Sequence, residues 1–143
     1  MSIEEQYKKE NPIRDVVIIA LKNNNNQILL VRTHKLPEKW QPIGGGIDKY
    51  EAPINAIIRE VMEELKINLE KDKLEHIGIV PYDFGIGNIH CFNYKCIVDE
   101  KQLIIDESEI LEYRWFSLKE SLKLNVYNAT KLFLKRLTTL QQL

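Results

Sequence analysis

Glu60, Glu63 and Glu64 stand at offsets of zero, three and four inside the stretch Trp40–Ile67, WQPIGGGIDKYEAPINAIIREVMEELKI. On a helix, at about 100° per residue, such spacing stacks the carboxylates on one flank, within reach of a common point. They repel there by about 0.2–0.5 kcal/mol for each like-charged pair in water, so something must offset the charge. Two readings compete. In the plainer one Arg59 and Lys66 ease an acidic, solvated helix face, and a bare E-x-x-E-E is more often that. In the sharper one a hard divalent cation, Mg2+ or Mn2+, sits between the carboxylates and the phosphates of a substrate.

The helix itself is signalled by Ile54, Ile57, Ile58, Val61 and Leu65. These fall in one narrow stripe and predict a core-facing side, with the glutamates on the flank away from it. Pro53 suits a first turn, where no N–H is needed, although Ala52 before it supplies no side-chain cap. Ahead of the helix, Gly44, Gly45 and Gly46 predict an exposed turn whose main chain can approach a ligand closely.

From Gly45 onward the stretch resembles the Nudix box, G-x5-E-x7-R-E-U-x-E-E-x-G-U, with U a bulky aliphatic residue. Gly45 matches the opening glycine, Glu51 the first glutamate, and Arg59 and Glu60 the R-E pair. Val61, Glu63, Glu64 and Ile67 fill the following fixed positions. Lys66 stands where the family has its helix-ending glycine; if that residue is left-handed, lysine costs on the order of 1 kcal/mol there. Every charged position is filled. A pattern fixing so many residue types is far more specific than a lone glycine fingerprint, and it lies in the turn-then-helix context it requires.

The resemblance implies an α/β fold, the Nudix-type α/β/α sandwich with a mixed β-sheet between helices, and residues 1–143 as a single domain of that type. It further implies Mg2+-dependent hydrolysis of a nucleoside diphosphate linked to another group, through attack of water at phosphorus. Carried onto this chain, Glu60, Glu63 and Glu64 with the carbonyl of Gly44 would hold Mg2+ or Mn2+. Arg59 would orient the carboxylates, and Glu60 or a loop glutamate, for which Glu109 is the choice, would accept the proton of water. Gly45, Gly46 and Arg32 would contact substrate, Arg32 being otherwise a solvated strand end. A nucleotide-binding module that does not cleave is the alternative, but it has no need of a complete carboxylate set. An isopentenyl diphosphate isomerase shares the fold but is usually longer and has a catalytic cysteine in another context.

Along the chain, residues 1–11 read as a polar lead-in. Arg14–Lys22 and Gln27–Thr33, joined by the turn-forming Asn23–Asn26, predict a hairpin. The loop THKLPEKW brings His34, Lys35 and Lys39 to the border of the site, where His34 could meet a phosphate or be a plain loop residue. Leu74–Val80 predicts a strand leading into PYDFGIGN, whose Tyr82 and Phe84 are candidates either to stack on a base or to pack under the loop. His90–Val98 predicts a strand with Cys91, Asn93, Lys95 and Ile97 on one face and Phe92, Tyr94 and Cys96 on the other. After the acidic loop 99–109 come a strand over Leu111–Phe116, a capping box at Ser117 and Glu120, and a helix over Asn128–Leu140. Leu132, Phe133, Leu137 and Leu140 are the expected apolar face of that helix.

The chain has 143 residues, with Lys plus Arg at 20 against Asp plus Glu at 21 and a net charge of −1. That balance leaves no electrostatic footprint for nucleic acid or an anionic membrane, so the expected partner is small, and the resemblance implies that it is a nucleoside diphosphate derivative. No run approaches the roughly 20 apolar residues of a membrane span. A soluble, cytoplasmic protein with Cys91 and Cys96 as unbridged thiols is expected. Oligomeric state stays open, homodimers being common in the family.

Overall fold

A computed structural model of the chain describes residues 14–82 and 89–141, except for the side chains at 81, 82 and 89. The polar lead-in at 1–11 lies outside these residues. Six strands form one mixed sheet: β1 (Val16–Lys22), β2 (Ile28–Thr33), β3 (Ile43–Gly46), β4 (Glu75–Tyr82), β5 (Ile89–Ile97) and β6 (Ile110–Phe116). Their order is β4-β5-β1-β2-β6, with β3 also paired to β1. β1 is the hinge of this arrangement. It runs parallel to β5 along its whole length, from Val16 opposite Cys91 to Lys22 opposite Ile97. Its other edge meets β3 antiparallel, Val16 opposite Gly46 through Ile19 opposite Ile43. The expected hairpin is therefore brief: β1 and β2 share the Asn23–Asn26 turn but pair at Lys22 and Ile28, after which β2 follows β6.

Side chains alternate across the strands, and each face buries its own cluster. Val17, Ile19 and Leu21 of β1, Leu29 and Val31 of β2, and Tyr94 and Cys96 of β5 pack against Ala56, Ile57, Val61 and Leu65 of helix α1 (Pro53–Leu65). Ile18 and Ala20, Ile28 and Leu30, and Cys91 face the opposite way. They meet Ala129, Phe133, Leu134 and Leu137 of helix α3 (Asn128–Gln141), which follows the one-turn helix α2 (Leu118–Ser121). Each fully buried aliphatic side chain among these contributes about 1.5–3 kcal/mol. The two faces of β5 divide as its alternation predicts, and both cysteines are free. Ser117 caps α2 reciprocally with Glu120.

Three expectations are corrected. The glycine run is a strand, since what it needs is closeness and not a turn: a Cβ on Gly44 would strike the Val17 carbonyl, and one on Gly46 the Arg14 guanidinium. On α1, Ile54 and Ile58 are only partly buried, whereas Ala56 and Glu64 are buried. Glu64 lies three beyond Val61 and seven beyond Ile57, which puts it on their face and not on the far flank. On α3, Leu132 and Leu140 are exposed, and Thr130 and Leu134 take their places in the buried stripe. α1 begins at Pro53 with no side-chain cap on Ala52, and it ends on Lys66 at φ 58°, ψ 31°. The left-handed terminus that the family's glycine provides is thus kept by a lysine.

Candidate active site

Arg59 organises the first layer of the site. Its Nε and Nη2 each donate to a carboxylate oxygen of Glu51 at 2.9 Å, Nη1 donates to Glu60 Oε1 at 2.9 Å, and Nη2 also reaches the Gly46 carbonyl at 3.0 Å. Glu63 Oε1 stands 3.5 Å from Nη1. The two-pronged hydrogen bond from Arg59 holds the Glu51 carboxyl down at about 2, and Glu51 in turn raises Arg59 above its ordinary range. Arg59 thereby ties the loop after β3 to the helix.

The next layer has an excess of negative charge. Glu60 is half-buried, and that burial pushes its carboxyl up to about 7, with Arg59 pulling down and Glu63 and Glu109 pushing up. Glu64, only 7% exposed, is pushed up to about 9 by burial, then by the charges of Glu60, Glu109 and Glu63; a hydrogen bond from the Gly44 backbone works against this. Glu64 Oε2 is buried with no hydrogen-bond partner. Gly45 lies against Glu60, and a Cβ there would collide with the carboxylate. An unpartnered buried oxygen beside carboxyls that resist a second charge fits a hard cation in chemistry. The set is open all the same: among the described residues no three such side chains are already drawn together as a finished ligand cluster, Glu60 and Glu63 being turned to Arg59.

A cleft of about 220 Å³ opens over these groups. Gly44–Gly46, Glu60 and Glu64 line one side, residues 33–36 and Ser108 with Glu109 another, and Arg14 the rim. The structure thus brings Gly44, Gly45, Gly46, Glu60, Glu64 and Glu109 together, with Glu63 beside them on Arg59. Arg32 is elsewhere. It is held by the Pro37 carbonyl and by Glu112, both at 2.7 Å, and lies 5.4 Å from the Trp40 ring centroid, so its guanidinium anchors the loop before β3. The aromatic candidates fall differently: Tyr82 closes β4, its side chain outside the described residues, and Phe84 lies outside them altogether. The sequence makes Arg14 only the first residue of the predicted strand Arg14–Lys22, with no role at the site, and the structure places it at the cleft. Its Nη1 is 3.0 Å from Asp48, within the box, and the only sequence signal for it was the charge itself at the mouth of the first strand.

With this geometry in view, the family model for the NUDIX domain matches residues 12–137. A dihydroneopterin triphosphate diphosphatase of Haemophilus influenzae is 24% identical over 131 residues, spanning 83% of this chain and 81% of the relative. An RNA pyrophosphohydrolase of Gluconobacter oxydans is 37% identical over 73 residues, which span 50% of this chain and 43% of that protein. Among solved structures, a MutT protein from Methanosarcina mazei superimposes with a TM-score of 0.76 at 22% identity, covering 94% of this chain and 99% of its own. The α/β sandwich is that of the Nudix fold, and the chain is a pyrophosphohydrolase. The chain belongs to the Nudix family.

Proposed function

We propose that this chain, as one domain, hydrolyses a diphosphate linkage in a small nucleoside diphosphate derivative with Mg2+ or Mn2+. The observation that carries the reading is the buried, unpartnered Glu64 oxygen in a cleft shared with Glu60 and Glu109. Glu60, Glu63 and Glu64, with the Gly44 carbonyl, would hold the cation. When bound, it supplies charge neutralisation for the diphosphate and makes water more acidic.

The protein's own part is positional and electrostatic. Arg59 keeps Glu60 and Glu51 in place, with four of its five N–H donors spent on Glu51, Glu60 and the Gly46 carbonyl. Glu109, on the wall facing Glu60 and Glu64, takes the proton of the attacking water, a task for a carboxylate held off the helix. The main chain of Gly45 and Gly46 approaches the phosphates, and Arg14 at the rim counters their charge. The phosphates, in this reading, lie between an acidic floor and a basic rim.

A triphosphate such as dihydroneopterin triphosphate is a second substrate reading, favoured by the Haemophilus relative that spans most of both chains. The test is a panel of nucleotide sugars, dinucleoside polyphosphates, oxidised nucleotides, dihydroneopterin triphosphate and 5′-triphosphorylated RNA, each with Mg2+, Mn2+ or chelator and scored by product. Metal-dependent cleavage of a small diphosphate is expected. Cleavage confined to RNA would overturn the small-molecule reading, and cleavage unaffected by chelator would overturn the metal one. Free Cys91 and Cys96 favour a reducing, cytoplasmic setting, and no helix among the described residues is long and apolar enough to cross a membrane.

A further inference from the structure

The segment that carries Glu109 to the cleft is fastened at both ends. At one end it closes the C-terminus of α1: the Ile104 N–H donates to the Leu65 carbonyl and the Asp106 N–H to the Glu64 carbonyl, both at 2.9 Å. These are helix carbonyls that have no partner within the helix. From there a tight turn forms around Asp106, whose Oδ1 accepts from the Ser108 N–H at 3.1 Å and the Ser108 hydroxyl at 2.6 Å, and whose carbonyl accepts from the Glu109 N–H at 3.2 Å. At the far end is His34, in the loop after β2. Its backbone N–H donates to the Glu109 carbonyl at 3.0 Å, and its ring Nε2 lies 3.0 Å from the Glu107 carbonyl. A carbonyl oxygen only accepts, so Nε2 must carry the proton, and the ring makes this bond in its neutral and its charged form alike.

We propose that His34 is a positioning residue for Glu109, its ring clasping the 106–109 turn so that the Glu109 carboxylate faces Glu60 and Glu64 across the cleft. The inference rests on the reading above that Glu109 takes part in the reaction. Two other roles fit the same place: His34 lines the cleft and could touch substrate itself, or the clasp could be a fastener with no bearing on turnover. Substitution separates them, because His34→Ala removes the ring bond and leaves the backbone bond to Glu109, while His34→Gln keeps an N–H able to reach the Glu107 carbonyl.

The first measurement needs no substrate. In the metal-free protein, amide hydrogen exchange over 104–112 should rise by roughly tenfold in His34→Ala, the loss expected for one hydrogen bond, with α1 and β1 unchanged, and His34→Gln should restore it. The second is a double-mutant cycle on pyrophosphate release from dihydroneopterin triphosphate, and from whichever panel compound is cleaved fastest. His34→Ala should lower kcat by about tenfold or more with KM little changed, and should cost nothing further in a Glu109→Gln background. Unchanged exchange would overturn the clasp. Equal losses in both backgrounds would overturn positioning in favour of direct contact with substrate. A Glu109→Gln protein as active as the parent would overturn the role given to Glu109, and the exchange result would still report on the clasp by itself.

Discussion

Glu64→Gln should cripple the enzyme and, in the absence of metal, stabilise the fold. Burial and three neighbouring carboxylates push the Glu64 carboxyl from its ordinary value of 4.5 up to about 9. The folded protein therefore binds this proton more tightly than the unfolded chain does. Its stabilising effect is complete below about pH 4.5 and is lost as the pH rises toward about 9. At pH 7 the two states differ over two and a half pH units, which at about 1.4 kcal/mol each is on the order of 3 kcal/mol. Glutamine has no proton to lose, keeps an oxygen for the Gly44 N–H, and exchanges one unpartnered buried polar atom for another. In chelator, the melting point of the variant should exceed that of the parent at pH 8, approach it near pH 5, and lose the parent's downward slope between. With MgCl2 the order should narrow or reverse, because a cation favours the ionised carboxylate that only the parent can offer. A thermal-melt series from pH 5 to 9, with and without Mg2+, reads all of this, and turnover should fall by at least about a hundredfold. A variant that melts below the parent at pH 8 in chelator, or that keeps parental turnover, would refute the reasoning.

Lys66→Gly should raise stability by about 1 kcal/mol, since the position is left-handed and the side chain gives up only an exposed bond from Nζ to the Glu63 carbonyl; a lower melting point would show that the strain is absent. Gly45→Ala and Gly44→Ala should differ in kind. A Cβ on Gly45 meets the movable Glu60 carboxylate and should lower turnover with a small change in melting point, whereas one on Gly44 meets the Val17 main chain and should lower the melting point itself. Mg2+ should bind weakly alone and more tightly with a non-hydrolysable diphosphate analogue, with the reciprocal effect on the analogue. Calorimetry in both orders of addition checks it, and identical analogue affinity with Mg2+ and with chelator would count against a phosphate-bridging site.

Local pattern made much of this molecule legible. Alternation placed β5 correctly because its two faces enter two different cores, and the Ser117–Glu120 capping box declared itself in four residues. Arg59, Glu60, Glu63 and Glu64 of the box were legible because they sit at set offsets on one helix. What pattern could not give was the third dimension. Helical offset alone puts Glu64 on the face of Ile57 and Val61, but the wall of β3 and Glu109 around it depends on contacts with residues distant in sequence. Glycine has no side chain to alternate, so β3 left no strand signature. The resemblance assigns Arg32 to substrate, whereas its bonds to Glu112 and to the Pro37 carbonyl, which fasten it to the loop before β3, cannot be seen from its own strand.

The pairing of β1 with β5 has a consequence for how the chain is made. Val16 finds its parallel partner only at Cys91, so a ribosome has released β1, β2 and the whole of α1 before the central strand can be closed on both edges. Until then β1, apolar on both faces, has an open edge, the kind of surface that pairs with other chains. Local contacts cannot relieve this, since β2 and β3 both pair with the other edge of β1. Chains cut before residue 89 should therefore collect in aggregates, and full-length chains should fold late and all together, with formation of the cleft among the last events. Solubility of such truncations, measured beside the intact chain, would show whether β5 is the strand that closes the fold.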